Sequence, residues 1–115
     1  MRLLWTSLVA LTTFISCSTL NSNTVIKPND SFILGNNQHG RFKVKLQNVS
    51  KNEIEVYQAP INGGKHSSQI VNPDNKVTIA VDANTALFIV NKSKDTASVN
   101  LKVTGDLGLS MGYKN

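Results

Sequence analysis

The side chains best suited to proton transfer or metal ligation in this 115-residue chain are its two histidines, His39 and His66. Both sit in polar, glycine-rich stretches, His39 before Gly40 and His66 after Gly63-Gly64-Lys65. A zinc centre needs three or four ligands with a supporting shell, and nothing near either histidine supplies them. They read as solvated loop residues. The seven carboxylates are scattered, and the closest pair, Glu53 and Glu55, falls on one face of a strand. That spacing fits cross-strand pairing with a basic neighbour before it fits acid/base work. The chain carries no Gly-x-Ser-x-Gly elbow, phosphate loop or calcium loop, so no enzyme is expected, and no metal or other cofactor.

A second chemistry is charge. Arg41, Lys43 and Lys45 alternate with Phe42, Val44 and Leu46, which places three cations on one face of a strand. Such a ladder can bind lipid headgroups or acidic glycan, and it also discourages edge-to-edge pairing. Tyr57 falls on the Lys43 side if the next strand folds back as a hairpin. The candidate ligand-binding set is therefore Arg41, Lys43, Lys45 and Tyr57. Net charge is +5, with no Lys/Arg block, and this argues against a nucleic-acid partner.

The one cysteine, Cys17, closes an apolar stretch that begins after Arg2. Leu3 to Ile15 would rise ~20 Å as a helix, short of the ~30 Å hydrocarbon core. A single basic residue, a short apolar run and small residues after it are the parts of a cleaved export signal. Phe14-Ile15-Ser16-Cys17 resembles the lipobox of bacterial lipoproteins, with Phe where Leu is usual. The resemblance implies cleavage before Cys17 and acylation of its thiol, which also accounts for one unpaired cysteine in an exported chain. By the sorting rules of that family, Ser18 and the lack of a following acidic run imply an outer-membrane protein facing the periplasm. Ordinary signal cleavage near Ser16 to Ser18 would instead release a soluble secreted or periplasmic module.

Residues 1–16 are thus expected as signal peptide, 17–30 as the lipidated cysteine and a polar tether, and 31–115 as one domain. From Ser31 on, short period-two runs are separated by Gly, Pro, Asn and Asp, and no helical spacing appears. About eight strands at this spacing predict an all-β antiparallel sandwich, Ig-like or jelly-roll-like. Asn48-Val49-Ser50-Lys51-Asn52 echoes Asn91-Lys92-Ser93-Lys94-Asp95 at an offset of 43 residues. Each is expected to turn a hairpin, setting Leu46 against Ile54 and Lys45 against Glu55 in the first, and Leu87 against Val99 in the second. Both also match the N-glycosylation pattern, but read here as turns. Leu87-Phe88-Ile89-Val90 is apolar on both faces, so a central strand covered on both sides is expected, or one whose Phe88 face meets a partner. The chain is read as a small lipid-anchored envelope protein with a non-catalytic binding or structural role, whose partners are the membrane and an envelope protein or glycan. The alternative is the soluble module binding acidic glycan or lipid through its basic face.

Overall fold

Alternation builds the strands. The computed structural model describes residues 19–115, so the expected leader and Cys17 lie outside the described residues. Among the described residues nine strands form: β1 (Thr19–Ile26), β2 (Asp30–Leu34), β3 (Phe42–Asn48), β4 (Ile54–Pro60), β5 (His66–Val71), β6 (Lys76–Val81), β7 (Thr85–Asn91), β8 (Ala97–Gly105) and β9 (Met111–Tyr113). They pair, all antiparallel, into a four-stranded sheet ordered β1-β8-β3-β6 and a five-stranded sheet ordered β5-β4-β7-β2-β9. The inward residues of the first sheet include Val44, Leu46, Ile79, Val99 and Val103, and those of the second include Leu34, Ile54, Val56, Leu87 and Ile89. Together they make one buried core between two layers, the architecture of a β-sandwich. Burying each such side chain contributes about 1.5 to 3 kcal/mol.

The strand order corrects the expected hairpins. β3 lies in the first sheet and β4 in the second, and the same holds for β8 and β7. Leu46 is opposite Leu101 and Val77, not Ile54, and Leu87 is opposite Gln58 and Leu34, not Val99. Only β4 and β5 are consecutive strands joined within one sheet. Every other connection crosses between sheets, because a strand with one apolar face can bury it across the core as well as beside a neighbour. The order β1-β8-β3-β6 against β5-β4-β7-β2 is the wiring of a jelly roll, two interleaved Greek keys, with β9 added outside β2.

The echo at residues 48–52 and 91–95 falls at equivalent places in a pseudo-two-fold relation between β1–β4 and β5–β8. Exchanging β1 to β4 for β5 to β8 turns each sheet order into the other. The two Pro turns, Lys27-Pro28-Asn29-Asp30 and Asn72-Pro73-Asp74-Asn75, match as well. Asn29 and Asp74 both take positive φ, 58° and 68°, a conformation that Asn and Asp tolerate. In each turn the last residue's N–H donates to the first residue's carbonyl, at 3.2 and 3.1 Å.

Each Asn corner then locks the Pro turn of the other half. Buried Asn48 donates from Nδ2 to the Asn52 carbonyl (2.8 Å) and to the Val71 carbonyl (2.9 Å), while its Oδ1 accepts the Ser50 N–H (2.9 Å). Buried Asn91 donates to the Asp95 carbonyl (2.7 Å) and the Ile26 carbonyl (3.0 Å), and accepts the Ser93 N–H (3.0 Å). Val71 and Ile26 end β5 and β1 just before the two Pro turns. Full satisfaction of a buried amide is what makes it tolerable in the core. The two corners meet where Asn52 Nδ2 donates to Asp95 Oδ2 at 3.0 Å.

Four further expectations change. Residues 19–26, expected as tether, pair along their whole length with β8, from Thr19 opposite Thr104 to Ile26 opposite Ala97. The strand is hard to see in sequence because an edge strand can alternate small polar residues, and here only Leu20, Thr24 and Ile26 of its inward set are large. His39, expected in solvent, is buried, because the β2–β3 loop folds it against Phe42 with ring centroids 5.0 Å apart. Its Nδ1 lies against the Gly40 carbonyl, and its Nε2 lies 2.8 Å from the Thr85 carbonyl and 3.2 Å from the Thr85 nitrogen. The last run, Leu107 to Tyr113, reads as one strand in the sequence, but Leu107 and Leu109 pack from a loop onto the core and only Met111–Tyr113 pairs. Phe88, expected under a second layer, lies half-buried on the outer face of the five-stranded sheet. At the end of β8, Gly105 holds φ at 99°, and a Cβ there would meet the Arg41 carbonyl at 2.8 Å.

Candidate binding surface

The four-stranded sheet turns a face without carboxylates to solvent. Along β3 the outward residues are Lys43, Lys45 and Gln47; along β8 they are Ser98, Asn100, Lys102 and Thr104; along β6, Lys76, Thr78 and Ala80; along β1, Thr19, Asn21, Asn23 and Val25. Period-two geometry puts all of them on the side away from the core. Lys45 stands directly opposite Lys102 on one neighbour and Thr78 on the other. Lys43 is opposite Thr104 and Ala80, and Lys76 is opposite Gln47. Lys45, Lys76 and Lys102, with Asn21, Gln47 and Asn100, line a shallow groove of about 320 Å³.

None of these four lysines forms an ion pair among the described residues. Like charges directly opposite in a sheet cost stability, so the Lys45–Lys102 pair works against the fold. The seven carboxylates lie elsewhere, in loops, corners, β2 and the other sheet. The seven remaining Lys and Arg of residues 19–115 equal those carboxylates in number. The net charge of the described residues is therefore the charge of this one face.

Of the four candidate ligand residues, the fold keeps two together. Lys43 and Lys45 are neighbours on the outer face. Arg41 precedes β3 in a loop, where its exposed Nε lies 4.0 Å from Asp82 Oδ1, so it stands beside a carboxylate at the end of the sandwich. Tyr57 is on the opposite sheet, since β3 and β4 are not a hairpin. Its ring stacks on Phe88 with centroids 4.7 Å apart and planes 7° from parallel, and Lys65 Nζ lies 4.4 Å from the centroid. The stacked Phe88 ring and the Lys65 ammonium thus occupy space over the Tyr57 ring that a sugar would need. Burial, and then the nearby Glu55 charge, push the Tyr57 phenol up.

Lys76 and Lys102 join the surface, and sequence reasoning missed them. Each is a single outward lysine in its own strand, and only the sheet order sets them beside Lys45. Glu55, expected opposite Lys45, is on the other sheet, bound by Lys92 Nζ at 2.7 Å and by Ser68 Oγ at 2.8 Å, with Lys65 at 3.9 Å. The Lys92 hydrogen bond first, then Ser68, hold its carboxyl below the ordinary glutamate range. Its neighbour Glu53 points to solvent. His66 opens β5, exposed, with Nδ1 2.8 Å from Ser67 Oγ. His39 sits in the β2–β3 loop among backbone partners, and no group of three His, Cys, Asp or Glu is placed to hold a metal among the described residues.

The outer face of the five-stranded sheet is of another kind. Ile33, Phe88 and Tyr57 run across it through the pairs Ile33–Phe88 and Phe88–Tyr57, with Ile70 half-exposed at its edge. No family model matches the chain, and no curated protein matches it.

Proposed function

We propose that this chain is a small lipid-anchored protein of a bacterial envelope, held by an acylated Cys17 at the outer membrane facing the periplasm. It acts as a non-catalytic binding module whose lysine face takes the repeated phosphate or carboxylate groups of an anionic glycan or lipid. The observation that carries the binding half is the segregation of charge: four unpaired lysines on one sheet face with no carboxylate among them. A solvated strand face charged only for solubility would carry both signs, and would gain stability by pairing Lys45 with an acid rather than with Lys102. The lipobox-like Phe14-Ile15-Ser16-Cys17 supports the anchor.

The soluble reading keeps one observation in its favour. The sandwich is complete from Thr19, so ordinary cleavage near Ser18 would release an intact domain with the same lysine face. Intact mass and the N-terminal peptide of protein from its own cells decide between the two. Two or three acyl chains on Cys17, lost in Cys17→Ala together with membrane fractionation, support the anchor; an unlipidated chain beginning at Ser18 or Thr19 supports the soluble module. The binding half is tested on heparin or anionic vesicles. Retention that falls with salt, and falls further in Lys45→Glu with Lys102→Glu, supports it; retention unchanged by that pair removes it.

A further inference from the structure

We infer that the lysine face lies flat on the same bilayer that holds the anchor, so that the partner of Lys43, Lys45, Lys76 and Lys102 is the anionic phospholipid headgroup layer around the protein's own acyl chains. This rests on the lipid anchor proposed above. Two observations carry it. The first is reach: β1 begins at Thr19, two residues beyond Cys17, and two residues span at most about 7 Å. A domain so short of slack cannot stand away from the surface. The second is where that chain enters. β1 is the edge strand of the lysine-bearing sheet, and the strands beside it lie ~4.8 Å apart, so Lys102, Lys45 and Lys76 follow within ~15 Å of the anchored edge.

Charge selects the face among those the short link allows. The loop end near Thr19 carries Arg41 beside Asp82, together with Asp106, and so has no cationic excess. The outer face of the five-stranded sheet is on the far side of the core from the entry edge and carries Glu55 with its lysines. Only the four-stranded sheet offers cations with no carboxylate, within a Debye length of an anionic surface once the link is drawn in. Docked this way, the molecule turns Ile33, Tyr57, Phe88 and Ile70 toward the aqueous space.

The test uses the full lipidated protein, its acylation read first by intact mass, in vesicles of neutral phospholipid with or without one third phosphatidylglycerol. A fluorophore is placed on a single new cysteine at Thr78 in the lysine face, at Ile70 on the opposite sheet, or at Ile61 in the exposed β4–β5 loop. A headgroup-attached nitroxide quenches what lies close. In anionic vesicles the Thr78 probe is expected to be quenched at least threefold more than the Ile70 probe, and the difference is expected to vanish at high salt and in Lys45→Glu with Lys102→Glu. Strongest quenching at Ile61 would mean that the domain stands on its loop end, and equal quenching at all three sites that it tumbles freely. Either result on acylated protein overturns the docking and leaves the anchor intact. Protein without acyl chains overturns the anchor and the docking with it.

Discussion

Two asparagines carry more of this fold than their polarity would lead one to expect. Asn48 and Asn91 fill buried sites with two and three backbone carbonyls as acceptors and a backbone N–H as donor, so alanine would leave those groups without the side-chain partner. Asn48→Ala and Asn91→Ala are each expected to lower stability by about 1 to 3 kcal/mol in urea denaturation, and Ser50→Ala by less. At Glu55 and Asp106 the fold favours the charged form. The Lys92 bond holds Glu55 below the usual range, and the Gly40 and Gly108 N–H groups, at 2.6 and 2.8 Å, do the same for Asp106. A carboxyl with a depressed folded-state value stabilises fully above its unfolded value and loses that contribution as pH falls through the folded one. The urea midpoint is therefore expected to drop on acidification below about pH 4, and Glu55→Gln with Asp106→Asn to flatten that drop.

Neighbouring residues of one strand separate its two faces. In β7, Ile89 is fully buried whereas Phe88 is half-exposed against Tyr57. Ile89→Ala is expected to cost ~3 to 4 kcal/mol and Phe88→Ala roughly half as much, read by thermal or urea melts. Equal losses would show that a second layer covers Phe88. The lysine face offers the opposite sign: Lys102→Glu places an acid opposite Lys45 and is expected to raise stability by about 0.2 to 1 kcal/mol while lowering retention on heparin. A substitution that strengthens the fold and weakens binding is the mark of a surface kept for its partner.

Strand positions were legible because burial on one face leaves a period of two in β3, β6 and β8. Strand partners were not, since Leu46 alternates identically whether its neighbour is Ile54 or Leu101. Asn, Ser and Lys serve a two-residue hairpin and a crossing between sheets equally well, and what distinguishes them is the buried amide, a tertiary fact. Lys43 and Lys45 could be read as one surface from their spacing, whereas Lys76 and Lys102 needed the sheet order. Tyr57 was misplaced for the same reason, as the hairpin that would have brought it beside Lys43 does not exist. His39 sits among polar loop residues in the sequence, and only the closing of that loop over Phe42 buries it.

At the scale of the molecule, the two four-strand units are interleaved, so neither has a sheet of its own. β1 pairs with β8, β2 with β7, β3 with β6 and β8, and β4 with β7. Residues 19–62 and 63–115 made separately are expected to show no sheet by circular dichroism, and the full domain to refold in milliseconds to seconds, as befits distant pairing.

The reciprocal Asn locks have a consequence for how the chain is delivered. The turn that ends β1 is fastened by Asn91, and the last carbonyl of β5 by Asn48, so the first strand cannot be secured until nearly the whole polypeptide has arrived. A chain threaded N-terminus first through a ribosomal tunnel or a translocation pore would therefore stay unfolded for most of its passage, held open by topology alone. Its early segments would reach the far side still able to thread, and the domain would close in one late step.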